Sequence, residues 1–165
     1  MSKEIDIEYY HQLALQKQKE HRKVLANLKK KPPKNLDKIA QQIHEEVFDE
    51  IDCTACANCC RTLGPDFKEA DITRIAKYFK MKLPAFEAEF LQVDEDGDKV
   101  FKSMPCPFLG GDNLCSIYDV RPKACREFPH TDRKKIYQIN NLTIKNTLTC
   151  PAAYLFVEKL RGKIE

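Results

Sequence analysis

The stretch Cys-Thr-Ala-Cys-Ala-Asn-Cys-Cys-Arg, residues 53–61, places Cys53, Cys56, Cys59 and Cys60 within eight positions, and Cys106, Cys115, Cys125 and Cys150 follow in the C-terminal half. Thiolates are soft ligands, the type that zinc and iron–sulfur clusters select, and a C-x2-C step lets two side chains converge on one ion. The open C-x2-C-x2-C triplet is also the form in which bacterial ferredoxins present three thiolates to a cluster, with a further ligand from a remote Cys-Pro. Two such dipeptides occur here, Cys106-Pro107 and Cys150-Pro151. The triplet and the Cys-Pro pairs favour an iron–sulfur cluster, 4Fe–4S in type, over zinc as the cofactor. One zinc held by four cysteines would leave four thiols unused, whereas two four-thiolate sites, or one four-iron cluster with a neighbouring ion, use the count better. Spacing alone does not partition the ligands.

Competing chemistries are weaker. Adjacent Cys59 and Cys60 are poor disulfide partners for each other, and a nucleophilic cysteine needs a base, for which His130 is the candidate in the C-terminal cysteine segment. Glu8 and His11 form a single E-x-x-H, where a di-iron bundle needs two such motifs and two more glutamates. Cys59 and Cys60 are expected to point in different directions, which argues against one ion taking both. Cys150 precedes a proline at a helix start, where the positive end of the helix dipole is expected to favour thiolate. Arg121 and Arg126, within Arg-Pro-Lys-Ala-Cys-Arg-Glu-Phe-Pro, are candidate cofactor-binding residues: they would donate hydrogen bonds to cluster sulfides or offset thiolate charge. Their ordinary alternative is salt bridging to Asp119 or Glu127.

The elements that must position these thiols can be read from the rest of the chain. At 165 residues, with 42% hydrophobic and 32% charged residues, it has the length and composition of one ordinary globular domain. No apolar run nears the roughly 20 residues that span a bilayer, so no membrane association is expected. The N-terminus has no apolar segment of the secretory type, and a cytoplasmic location is expected, where dense cysteines serve metal or redox chemistry more than disulfides. The net charge of +3 is uneven: residues 1–34 hold nine Lys/Arg against four Asp/Glu, a local +5. No aromatic-rich RNA motif accompanies this basic segment, so a protein partner fits it better than nucleic acid.

From about Glu4 to Lys30 helix formers run without Gly or Pro until Pro32-Pro33 stops them. Leu36, Ile39, Ile43, Val47 and Ile51 then recur at helical spacing. Asp66 and Glu69 have capping-box spacing ahead of a stripe of Ile72, Ile75, Ala76 and Phe79, and this helix is expected to end near Met81. Pro84 suits the first turn of a short helix carrying Phe86 and Phe90, and Asp96-Gly97 signals a hairpin between Leu91–Val93 and Val100–Phe101. Residues 103–130 read as irregular, with one helical turn near Ser116 to Asp119. Pro151 opens a last helix with Ala152, Leu155, Phe156 and Leu160 on one face.

The motif order, C-x2-C-x2-C-C followed by Cys-Pro-Phe-Leu, Cys-Ser-Ile-Tyr-Asp-Val-Arg-Pro-Lys-Ala-Cys-Arg-Glu-Phe-Pro and a late Cys-Pro, resembles the CxxCxxCC family of zinc- or iron-chelating proteins (YkgJ-like). The likeness runs from Cys53 to Pro151, roughly 60% of the chain. It implies that all eight cysteines are candidate ligands and that Arg121, Pro122, Arg126 and Pro129 belong to the family pattern. A similar cysteine module occurs in flagellin lysine methylases, but no G-x-G-x-x-G-type nucleotide loop is present here, and no methyltransferase activity is carried over. The expectation is a mainly α, metal-stapled domain at 53–165 with one small β-hairpin and irregular Cys/Pro-rich loops, preceded by a helical hairpin extension at 1–52. Its expected function is to hold a metal ion or cluster in a structural or electron-transfer role. The alternative is a redox or group-transfer enzyme, part of a methylase-like system, that uses the cluster.

Overall fold

The computed structural model of the chain describes residues 4–165. Two compact units are present, one running through Cys56 and resuming from Pro129 to Glu165, the other continuous from Ala57 to Phe128.

In the first unit, helix α1 (Ile7–Lys30) begins where the Asp6 carboxylate accepts the Tyr9 amide at 2.9 Å, and it ends at Lys31-Pro32-Pro33. Helix α2 (Leu36–Glu50) buries Leu36, Ile43 and Val47 of the expected stripe together with Ala40, while Ile39 is half-buried and Ile51, also buried, caps the helix. A single turn, α3 (Cys53–Cys56), follows. After Pro129 the chain forms a 3-10 turn at Ile136–Ile139, then α8 (Asn140–Thr149) and α9 (Pro151–Ile164). Helix α1 packs on α8 and α9, and α2 packs on α9. Leu25, Ile43, Ile136, Phe156 and Leu160 are wholly enclosed between them. Each such side chain contributes about 1.5–3 kcal/mol of burial energy. The buried His21 of α1 meets Glu158 of α9, Nε2 to Oε1, at 2.7 Å. Burial would raise the Glu158 carboxyl, but hydrogen bonds from His21 and Arg161 outweigh it and hold the group below its usual range.

The second unit carries α4 (Asn58–Thr62), β1 (Asp66–Phe67), α5 (Glu69–Tyr78), α6 (Leu83–Phe90), β2 (Leu91–Val93), β3 (Lys99–Phe101), a 3-10 turn at Tyr118–Val120 and α7 (Lys123–Glu127). The chain is thus mainly helical with a small antiparallel sheet, ordered β1-β3-β2. The expected hairpin is there, pairing Leu91 with Phe101 and Val93 with Lys99. In its turn the Asp94 carboxylate accepts the Asp96 and Asp98 amides at 3.0 and 2.9 Å, and Gly97 takes a φ of 83° that other residues adopt only under strain.

The start of α5 differs from the expectation. Asp66 lies in β1, paired with Val100, and is not the cap; Lys68 is, with the Asp71 carboxylate accepting the Lys68 amide at 3.0 Å. A capping-box pattern two residues out of register reads the same on paper, and strand pairing decided between them. The helix stops at Tyr78 through a Schellman arrangement: Lys80 is left-handed, its amide reaches Lys77 O at 3.0 Å, and Met81 N–H reaches Ala76 O at 2.9 Å. Phe67, Ile72, Ile75, Phe86, Phe101 and Phe108 form this unit's core.

Candidate metal centre

Five of the cysteines lie in the second unit. Cys59 and Cys60 sit on α4, which starts after a left-handed Ala57 (φ 50°) and ends where the amides of Leu63 and Gly64 both reach Cys59 O, at 3.0 and 3.3 Å. Gly64 takes φ 64°, and a Cβ there would lie 2.9 Å from Met104 Sδ, so glycine is required to close this turn. The Cys60 carbonyl accepts the Cys106 amide at 2.8 Å. From Cys106 the chain turns back: Leu109 N–H reaches Cys106 O at 3.1 Å, Leu109 bridges to Cys115, and Ser116 N–H reaches Phe108 O at 2.9 Å. Cys106 and Cys115 therefore flank one tight loop. Cys125 rides on α7, whose first amide, that of Lys123, donates to the buried Asp71 carboxylate at 3.1 Å.

The electrostatics tie these thiols together. A hydrogen bond from the Cys59 thiol, with Arg61 nearby, lowers Cys60 to about 7 against the opposing effect of burial. The two adjacent side chains thus meet, contrary to the expectation that they diverge. Burial pushes Cys106 up to about 11, with the charges of Cys60 and Cys115 adding to it. Burial and Cys60 raise Cys115 as well. Cys125 stands at an exposed position, yet the protein around its thiol and the charges of Cys60, Cys106 and Cys115 raise it to about 12. As anions these four sulfurs would repel one another, and a cation among them would relieve that repulsion.

In the first unit, Cys53 and Cys56 lie on α3, which Asp52 starts by accepting the Thr54 amide at 2.8 Å and the Thr54 hydroxyl at 2.6 Å. Cys150 caps α9. Burial raises its thiol to about 12, and the Ala153 and Ala152 amides lower it only partly, while Cys53 and Cys56 add to the rise. The helix dipole expected to favour thiolate there acts through those two amides, and in the metal-free protein burial outweighs it.

Arg121 stacks on Tyr118, its guanidinium carbon 3.8 Å from the ring centroid, and donates to Tyr118 O at 2.6 Å. Its charge lowers Cys115 and Cys125 against the dominant effect of burial. Arg126 is exposed on α7, where its amide donates to Pro122 O at 3.1 Å. Neither arginine pairs with Asp119 or Glu127 among the ion pairs of the described residues; Lys123 takes Glu127 at 3.6 Å. Two positioning groups escaped the sequence reading. Arg61 helps lower Cys60 and hydrogen-bonds Asn113, which its place directly after the cysteine run could have signalled. Arg74 binds Asp71 at 2.8 Å and the carbonyls of Val120 and Arg121 at 3.2 and 2.9 Å, holding the approach to α7. His130 has a left-handed backbone, and the E-x-x-H pair is engaged elsewhere, Glu8 with Gln12 at 2.7 Å and His11 with Leu148 O at 2.8 Å.

Among the described residues, no three His, Cys, Asp or Glu side chains lie close enough together to hold a metal ion. The thiols are neighbours and not a closed coordination sphere. Their chemistry nonetheless fits zinc or iron: sulfur donors around Cys60, with cations at Arg61 and Arg121 to offset thiolate charge.

Among the described residues, no helix is long and apolar enough to cross a membrane. No curated protein and no solved structure matches the chain. The profile of the CxxCxxCC family, described as "Putative zinc- or iron-chelating domain", matches residues 52–151, and the chain belongs to that family.

Proposed function

We propose that this protein carries an iron–sulfur cluster, 4Fe–4S in type, on the thiolates of Cys60, Cys106, Cys115 and Cys125, in an electron-transfer or structural role. The observation that carries this reading is the mutual electrostatic influence of those four thiols within one unit. Cys53, Cys56 and Cys150 form a second donor set in the first unit, coupled in the same way. The order of the cysteines, with a ferredoxin-like triplet and two Cys-Pro pairs, supports iron–sulfur over zinc. Bound there, a cluster would supply reversible one-electron chemistry. The chain's own part is to gather the sulfurs and to offset their charge through Arg61 and Arg121, with Arg126 as a further donor. In this reading residues 53–165 are the metal-binding domain, residues 1–52 its extension, and the cytoplasm its place.

An enzymatic role would require a coordination position open to substrate, as would follow if Cys53, Cys56 and Cys150 alone served as the ligands of one ion. Substrate-dependent spectral change would be its mark.

Metal and acid-labile sulfide analysis with an optical spectrum, on protein purified without oxygen, tests the proposal. Brown protein with thiolate-to-iron absorption, lost in Cys60→Ser and Cys125→Ser, is expected. Colourless protein with stoichiometric zinc would overturn the cluster and leave a structural thiolate site.

A further inference from the structure

Away from the cysteines, the first unit has an open groove of about 730 Å³ between the end of α1 and the segment 137–144. Its floor is apolar, with Leu25 and Ile144 buried, Ile139 half-buried, and Leu142 left 40% exposed. Its α1 wall carries Arg22, Lys29 and Lys30, and no Asp or Glu lines it. These positions follow seven- and eight-residue steps, so they share one helix face. None of the three cations has a carboxylate partner among the ion pairs of the described residues, although Lys17, Lys159, Arg161 and Lys163 of the same unit each do. Glu20, the nearest acid on α1, is taken by Lys17 and Arg161. Cations in a last turn commonly serve the helix dipole, which accounts for Lys29 and Lys30. Arg22, two turns earlier, has no such role.

We propose that this groove docks an acidic segment of a partner protein, with an apolar side chain seated on Ile139 and Leu142 and carboxylates against Arg22, Lys29 and Lys30. Charge complementarity selects an anionic occupant. The apolar floor selects protein over nucleic acid, because a nucleic-acid groove would present stacking rings, and the one aromatic lining residue, Tyr137, is half-buried. The proposal is independent of which metal the cysteines hold.

The test uses the full chain and a fluorescently labelled amphipathic peptide that alternates glutamates with leucine and phenylalanine, read by anisotropy at low and physiological ionic strength. Binding that weakens with salt, and that falls at least tenfold in R22E/K29E/K30E and in Leu142→Ser, is expected, with unchanged circular dichroism showing that the variants fold. A control peptide with serine in place of the apolar residues should bind at least tenfold more weakly. Equal binding of that control, or tighter binding of a single-stranded oligonucleotide, would overturn the acidic-protein assignment. No binding at low ionic strength, or binding indifferent to the charge reversals, would overturn the groove itself.

Discussion

The amide of Cys106 donates to the carbonyl of Cys60 at 2.8 Å, joining two cysteines that are far apart in the chain. A backbone hydrogen bond at this place sets the two thiols in one neighbourhood before any metal arrives. Their contributions should therefore be coupled. Cys60→Ser and Cys106→Ser are each expected to lower metal affinity by about tenfold or more, and the double variant to lose much less than the product of the two. Chelator competition on the three proteins measures this directly.

Asp71 is 2% exposed and accepts three donors, from Arg74, Lys68 and Lys123. Asp71→Asn should cost about 2–3 kcal/mol in urea unfolding, because a charge-assisted buried network loses its centre. Burial alone would raise this carboxyl; the three hydrogen bonds overcome it and hold the group below 3.8. Its stabilising effect is hence present above the unfolded value and lost as pH falls through the lower folded one. Unfolding curves of wild type and variant should converge in acid.

Metal-free, reduced protein should lose stability in alkali. Cys106, Cys125 and Cys150 are raised from 9.0 to about 11, 12 and 12, so above pH 9 the unfolded chain sheds these protons before the folded one does. Fewer protons on the unfolded state means falling stability with rising pH, a window from about 9 to 12. The metal-loaded protein, whose ligands are already thiolates, should show a much flatter profile. Thermal unfolding across that range, with and without metal, distinguishes the two.

Removing the metal should loosen the loops around Cys106, Cys115 and Cys125 while the first unit keeps its helices. Limited proteolysis is expected to cut within 103–128 at least several-fold faster after chelation, with α1 and α9 spared. Unchanged cleavage there would show that these loops are ordered without their ligand.

Much of this fold can be read before any coordinates. Pro32-Pro33 ends α1, the Leu36, Ile43, Val47 stripe makes α2, and Asp96-Gly97 makes the hairpin, because each signal acts over a few residues. Helix α8 is invisible in sequence: Asn-Asn-Leu-Thr-Ile-Lys-Asn-Thr-Leu-Thr is poor in helix formers, and it is helical through packing against α1 and α9. Strand β1 was hidden for the same reason, since two residues become a strand only beside β3. At the site, the cysteine spacing points to metal chemistry, while the grouping of Cys60 with Cys106, Cys115 and Cys125 depends on loop closures that spacing does not encode. The rise at Cys150 comes mainly from burial, a property of the folded neighbourhood.

The first unit is split in sequence, its opening helices α1 and α2 finding their partners α8 and α9 only after residues 57–128 have been made. During synthesis at roughly 5–20 residues per second, that interval lasts on the order of ten seconds. For that time the apolar stripes of α1 and α2 lack their final cover on the ribosome. The second unit, continuous in the chain, has all of its residues, Cys60, Cys106, Cys115 and Cys125 among them, synthesised before α8 and α9 exist. All four thiols proposed above as cluster ligands therefore belong to the part of the chain whose fold does not wait for α8 and α9.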